Sequence, residues 1–203
     1  MIEEISDAIG RPVPRETYDR LEQFAKLLLE ANQRQNLIAQ ASIPELWSRH
    51  ILDGAQLLGR AKEPGRWCDI GSGAGLPGLV VAILGGTPMT LIEPRRLRAE
   101  FLERTICQLQ LEQVRVAACK AEAVADKFDI ITARAVARLD RLFSLASHLA
   151  HPETLWLLPK GESVKSELDE ARLTWQGEFE MVPSRTHSQA AIVVARNVRQ
   201  RGK

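Results

Sequence analysis

The stretch Asp69-Ile70-Gly71-Ser72-Gly73-Ala74-Gly75-Leu76-Pro77-Gly78 constrains this chain more than any other. An apolar run from Trp67 to Ile70 precedes it and a second, Leu79 to Leu84, follows. That context reads as strand, glycine-rich turn and helix. Glycines permit positive φ and let a ligand approach the main chain. The first N–H groups of the following helix have no partner within it and form a site for a negatively charged group. Pro77 suits the first helical turn, where a missing N–H costs little. A nucleotide-like cofactor is the expectation, and the flanking residues decide which one.

The rest of the chain supplies a frame for this turn. Tyr18, Leu21, Phe24, Leu28 and Ala31 recur at helical spacing after Pro14. Ser42-Ile43-Pro44-Glu45 reads as a capping box that opens a second helix through Leu46, Trp47, Ile51 and Leu58. Glu63-Pro64-Gly65 breaks the helical texture. Beyond it, strands are predicted near Trp67–Ile70, Met89–Ile92, Val114–Ala117, Phe128–Ala133 and Thr154–Leu158. They alternate with helices near Leu76–Leu84, Leu97–Leu109, Leu139–Leu149 and Ser163–Leu173. Such alternation implies an α/β protein with a parallel sheet covered on both faces. Glu178–Val182 and Ala190–Arg196 are separated only by a loop and predict an antiparallel pair closing the edge. The expected organisation is a helical extension over 1–62, a Rossmann-like core over 63–198 and a basic, mobile tail over 199–203, functioning as one domain.

The 203 residues suffice for one domain with an appendage, and 45% hydrophobic with 26% charged residues is ordinary for a globular protein. No apolar run reaches membrane-spanning length, and Met1-Ile2-Glu3-Glu4 lacks the basic-then-apolar order of a secretory signal. Cys68, Cys107 and Cys119 are odd in number and show no metal-ligand spacing, so reduced thiols, a cytoplasmic location and no metal are expected. A net charge of +1 means that any nucleic-acid binding must use a local patch. Nothing suggests an obligate dimer, and a monomer is expected.

Gly73-Ala74-Gly75-Leu76-Pro77-Gly78 fits the dinucleotide pattern, with Glu93 as the following acid, which keeps a dehydrogenase in play. Gly71, however, makes the spacing Gly-x-Gly-x-Gly, and Asp69 stands at the end of the first strand. A carboxylate there repels a pyrophosphate. It would not repel S-adenosylmethionine, which has an ammonium and a sulfonium and no phosphate. The cofactor's carboxylate then falls to the helix N-terminus, with Asp69 facing the ammonium directly or through water. Glu93, ending the second strand, can accept both ribose hydroxyls, and Ala121-Glu122 follows the third strand where a loop could border the adenine. The plainer alternatives are a helix N-terminal charge for Glu93 and a solvated loop acid for Glu122. Asp69 resists such a reading, because a buried carboxylate needs partners.

With these residues in view, the chain resembles the bacterial small-subunit rRNA guanine-N7 methyltransferases, the glucose-inhibited division protein B family. The resemblance runs through the glycine turn, Leu91-Ile92-Glu93, Phe101-Leu102, Arg134-Ala135, Lys160-Gly161, Asn36-Leu37 and Arg49-His50-Ile51-Leu52-Asp53. It implies a class I methyltransferase fold and cofactor contacts at Gly71, Leu76, Glu93, Ala121, Glu122 and Arg134, to which the reading of the turn itself adds Asp69, Gly73 and Gly75. It implies methyl transfer from S-adenosylmethionine, leaving S-adenosylhomocysteine, to N7 of guanine 527 of 16S rRNA, with the rRNA or a small ribosomal subunit as partner. Ile38 stands where the family usually has Thr, Gly54 where it has Ser, and Lys120 where some members have Arg. Other readings remain: a methyltransferase of a small molecule or protein, and a non-catalytic nucleotide-binding module.

Guanine N7 bears a lone pair and no proton, so its attack on a sulfonium methyl needs no general base, and catalysis can come from positioning. Arg134, just after the fourth strand, is the residue expected to position substrate and cofactor, by holding a phosphate or guanine O6. Without the resemblance, a structural ion pair is the plainer reading. RNA contacts are expected at Arg49, His50, Arg95, Arg96, Lys120, Arg138 and Lys160. Arg98, Arg141, Arg185, His187, Arg199, Arg201 and Lys203 could add to the same face. Aromatic residues are 5% of the chain, too few for broad base-stacking platforms. A simple Arg49–Asp53 ion pair at i, i+4 is the alternative for that segment.

Overall fold

The computed structural model describes residues 1–202, so Lys203 of the expected basic face lies outside the described residues. Seven strands form one sheet: β1 Trp67–Ile70, β2 Met89–Ile92, β3 Val114–Ala117, β4 Phe128–Ala133, β5 Ala150–Lys160, β6 Trp175–Pro183 and β7 Ala191–Gln200. Their order is β3-β2-β1-β4-β5-β7-β6. The first five run parallel, and β7 lies antiparallel between β5 and β6. The helices are α1 Ile2–Ile9, α2 Arg15–Gln35, α3 Asp53–Leu58, α4 Gly78–Gly85, α5 Arg96–Gln108, α6 Leu139–Ala146 and α7 Val164–Thr174. This is the expected mostly parallel Rossmann-like sheet with an antiparallel last strand and an amino-terminal helical addition.

The two faces of the sheet bury separate cores. Strand alternation turns Trp67 toward one side and Cys68 and Ile70 toward the other. The first side carries Trp67, Met89, Leu91, Ile130 and Leu157 against α4, α5 and the amino-terminal helices. The second packs Ile70, Ile131, Phe143, Trp156 and Trp175, with the Phe143 and Trp156 rings edge-on at 5.2 Å. α4 explains why the amino-terminal helices are there. Gly78 to Leu84 are buried all round, so α4 has no solvent face and needs a cover besides the sheet. Leu21, Phe24 and Leu28 of α2, with Ala55 and Leu57 of α3, join the same apolar cluster and supply it. Gly54 lets α3 come close: a Cβ there would stand 3.0 Å from Val80 Cβ.

Several expectations change. α1 falls inside the expected helical extension, which the sequence does not divide into a separate helix at Ile2–Ile9. The Ser42 capping box does not form. Ser42 Oγ donates to Ala39 O (2.8 Å) and meets His50 Nε2 (3.0 Å), and a short 3-10 turn, Gln40–Ser42, is followed by a π-helical turn, Trp47–Leu52, leading into α3. Pro77 sits one residue before α4, which starts at Gly78. β7 continues to Gln200, past the expected boundary at 198. Arg201 continues the pairing, with its N–H on Thr174 O (2.8 Å) and Nε on Arg172 O (2.8 Å), so Arg199 to Arg201 of the expected tail are held against the fold. Among the described residues no helix is long and apolar enough to cross a membrane.

Candidate active site

The carboxyl ends of β1, β2 and β4 meet where the chain reverses its order across the sheet, the place where open α/β sheets bind ligands. The glycine turn lies at β1. Gly71, Gly73 and Gly75 all have positive φ. Gly71 is also pressed from above: a Cβ there would stand 2.7 Å from Val136 Cγ2. At the end of β2 Glu93 is buried, and both its oxygens are used, Oε2 by Gly73 N–H (2.8 Å) and Oε1 by Arg95 N–H (2.8 Å). Glu93 thus braces the turn in addition to standing where a ribose would lie. Ala121 is buried and Glu122 exposed in a 3-10 turn beyond β3. His148 Nε2 lies 3.2 Å from both Ala121 O and Val124 O; carbonyls only accept, so this nitrogen carries the proton and pins the turn.

Asp69 has a different situation. It is 1% exposed, and Oδ2 accepts from Gly78 N–H at 3.2 Å, at the start of α4. Gly78 permits that approach, because a Cβ there would lie 2.7 Å from Oδ2. Oδ1 is buried with no partner, and so is Oγ1 of Thr132, its register neighbour on β4. Burial pushes the Asp69 carboxyl up to about 7, while the amide of Gly78 and the charge of Arg134 pull the other way. A buried carboxylate with one oxygen on the first amide of α4 and the other without a partner suits a cationic donor and is hostile to a phosphate. Asp69, Glu93 and the glycine turn therefore fit S-adenosylmethionine better than a dinucleotide.

On the other side of Val136, a cavity of about 610 Å³ opens beside the carboxyl ends of β4 and β5, within the usual size range of small-ligand sites. Arg49, Arg134, Arg138 and Lys160, which the sequence offers from three separate segments, all line it. Arg134 Nη1 lies 3.3 Å from Asp53 Oδ2 and 3.3 Å from Arg49 O. Ala135 follows it with φ 57°, a left-handed turn rare for a side-chain-bearing residue. Lys160 is partly buried, donating to Ala137 O (2.6 Å) and Glu167 Oε2 (2.9 Å). Burial alone would raise the Glu167 carboxyl. Hydrogen bonds from Lys160 and Ser163, with the lysine's charge, outweigh it and hold Glu167 below the usual range. Arg49 and Arg138 are tied only to exposed Glu45 (3.2 Å) and Glu170 (2.6 Å). Exposed pairs contribute about 0–1 kcal/mol, so a phosphate can displace them.

The remaining candidates lie elsewhere. Arg95 and Arg96 are exposed at the start of α5, Arg96 pairing with Glu100 (2.7 Å), and Lys120 is exposed beyond β3. His50 is partly buried. Burial first, then the charges of Arg134 and Arg49, lower its pKa to about 4, so it is neutral at pH 7. The Ser42 proton goes to Ala39 O, so His50 Nε2 donates to Ser42 and Nδ1 is left as a buried acceptor with no partner. The i, i+4 pair between Arg49 and Asp53 does not form; each takes another partner. Sequence reasoning missed Gln56, Thr186 and Glu167 around the cavity. The i, i+3 spacing of Asp53 and Gln56 on one short helix is the signal that could have found the first of these.

The seven-stranded order, the glycine turn with its flanking acids and the adjacent basic cavity define a class I methyltransferase fold. A ribosomal protein L11 methylase from Lactobacillus delbrueckii subsp. bulgaricus has the same fold, with a TM-score of 0.60 at 15% identity over 73% of this chain and 79% of that one. So has an S-adenosylmethionine-dependent methyltransferase from Aquifex aeolicus, with a TM-score of 0.58 at 13% identity over 75% and 92%. Residues 17–194 match the model of the family described as rRNA small subunit methyltransferase G. A ribosomal RNA small subunit methyltransferase G from Rhizorhabdus wittichii is 47% identical over 196 residues, spanning 94% of this chain and 90% of the relative. One from Zymomonas mobilis subsp. mobilis is 43% identical over 204 residues, spanning 92% and 88%. The chain belongs to the rRNA small subunit methyltransferase G family.

Proposed function

We propose that this protein transfers a methyl group from S-adenosylmethionine to N7 of a guanine in 16S rRNA, acting as a monomer on the rRNA or on a small ribosomal particle in the cytoplasm. One observation carries the reading most strongly. Arg134 lines the basic cavity and is close enough to Asp69 for its charge to act on that carboxyl, so a single side chain joins the cradle to the cavity.

When bound, the cofactor supplies an electrophilic methyl on sulfur. Asp69 Oδ1 would accept from its ammonium, the N–H groups of the turn and the start of α4 would take its carboxylate, and Glu93 would take its ribose. Ala121 and Glu122, on the turn pinned by His148, would border the adenine. Arg134 would hold the target nucleotide by a phosphate or guanine O6. Arg49 and Arg138 would release their exposed carboxylates to neighbouring phosphates, with Arg95, Arg96 and Lys120 flanking. Positioning the N7 lone pair in line with the methyl is the catalytic work, since no proton leaves the nucleophile.

Cofactor identity is tested by melting. S-adenosylmethionine and S-adenosylhomocysteine raise the melting temperature and NAD does not; stabilisation by NAD alone would reject the argument from Asp69. Substrate class is tested by offering labelled cofactor with small subunits, naked rRNA and ribosomal protein. Label is expected in rRNA, and label confined to protein would reject the RNA reading.

A further inference from the structure

Two distant segments and a neighbour on its own helix converge on Asp53. Oδ2 faces Arg134 Nη1 at 3.3 Å, while Oδ1 accepts from Gln56 Nε2 (2.8 Å) and Thr186 Oγ1 (3.1 Å). Gln56, 3% exposed, extends the connection: Nε2 also donates to Ser184 Oγ (3.1 Å), and Oε1 accepts from Arg185 N–H (3.0 Å). A buried primary amide with both ends engaged is a rigid connector. One turn of α3 therefore grips three successive residues, Ser184 to Thr186, of the loop between β6 and β7 on one side and Arg134 on the other. Asp53, Arg134, Ser184 and Thr186 all line the same cavity.

We infer that Asp53 is a positioning residue that sets Arg134 and the β6–β7 loop as facing walls of the substrate cavity. This rests on the reading of Arg134 under Proposed function. The geometry gives the two carboxylate oxygens separate tasks. Both contacts to Arg134 are at 3.3 Å, longer than a well-formed guanidinium–carboxylate bond. Arg134 is aimed by them and stays free to engage a substrate phosphate or carbonyl. The pair is only 21% and 13% exposed, and half-buried ion pairs of this kind add little net stability for their desolvation. Their consequence is geometric. The left-handed turn at Ala135 and the close seat of Gly54 on Val80 bring the two segments to this meeting point. The inference also gives the amino-terminal helices a task beyond covering α4.

The test compares Arg134→Ala, Asp53→Ala, the double variant and Asp53→Asn in the full chain. The measurements are kcat and KM on small subunits or rRNA, S-adenosylmethionine affinity, and amide hydrogen exchange across 184–190. Asp53→Ala is expected to lower kcat roughly tenfold with cofactor affinity within about twofold. The double variant is expected to be no slower than Arg134→Ala, because Asp53 acts through that arginine. Asp53→Asn keeps an acceptor for Thr186 and Gln56 but turns an amide toward Arg134. It should preserve loop protection and still lose kcat, which a purely structural role would not produce. Effects that multiply in the double variant, or wild-type kcat in Asp53→Asn, would overturn the inference while leaving Arg134 in the mechanism. Wild-type turnover in Arg134→Ala would overturn the reading beneath it, and this inference with it.

Discussion

The two halves of the site are built from different materials. At β1 and β2 the cradle is mostly backbone: three glycines at positive φ, the first amides of α4, and two buried acids within 25 residues of one another. At β4 and β5 the cavity is made of long charged side chains from the amino-terminal helices, the loop after β4, the end of β5 and the β6–β7 loop. A backbone cradle is specified largely by local sequence, with Glu93 bracing it from the next strand and Val136 lying against it. A side-chain cavity exists only after the chain has folded, and its charges are set by ion pairs that sequence spacing does not reveal.

Arg134→Ala should have the largest effect on transfer. We expect a loss of about a hundredfold in kcat/KM, most of it in transfer and a smaller part in cofactor affinity through the expected contact of Arg134 with the cofactor, and the melting temperature little changed. If cofactor binding falls as steeply as transfer, the two halves are not separable at this residue. Lys160→Met should expose a contrast within the cavity. It leaves Glu167 buried without its main partner, at a cost of about 2 kcal/mol, and denaturant unfolding would show it. An unchanged midpoint with weakened RNA binding would return Lys160 to the RNA-contacting set.

Asp69 supplies a pH test confined to the cradle. Its carboxyl is raised to about 7 in the folded protein. Ionising it in the folded state is opposed, so its contribution to stability is full below about pH 4 and is lost as pH rises through about 7. An ammonium beside Oδ1 favours the ionised form. Calorimetry should therefore show cofactor affinity tightening roughly tenfold between about pH 5.5 and 7, and Asp69→Asn should flatten the dependence. A flat profile in the unaltered protein would place the ammonium elsewhere. The smallest effects belong to the exposed cations. Arg49→Ala or Arg138→Ala should weaken RNA binding severalfold and reduce the salt slope by about 1, with cofactor binding unmoved.

The same contrast explains what could be read from the sequence. The bounds of β1, β2, β3 and β4 follow from short, mostly apolar runs between turn signals, as expected of parallel strands covered on both faces. Asp69 could be singled out because a carboxylate between Cys68 and Ile70 is hard to leave unexplained. The Ser42 box failed because a tertiary partner, His50, and a local carbonyl took the hydroxyl that a cap would have used. The Arg49–Asp53 pair failed because the π-helical turn before α3 shifts the spacing and Arg134, 81 residues away in sequence from Asp53, competes for the carboxylate. α1 lies within the expected helical extension but does not stand out as a separate helix, although Ile2, Ile5 and Ile9 sit at helical spacing, since eight residues give too short a period. The length of β7 was missed because its last turns are polar and paired along an edge with β6.

The central claim is that the cradle and the cavity together place a guanine N7 against the cofactor's methyl. The most direct measurement is to methylate small subunits or their rRNA with this protein and map the modified nucleotide, using reduction and aniline cleavage, which cut the strand at N7-methylguanine. A single new cut at a guanine of 16S rRNA, absent with Arg134→Ala, is the predicted result. Methyl groups on an exocyclic amine, a ring carbon or a ribose, or spread over many sites, would contradict the account.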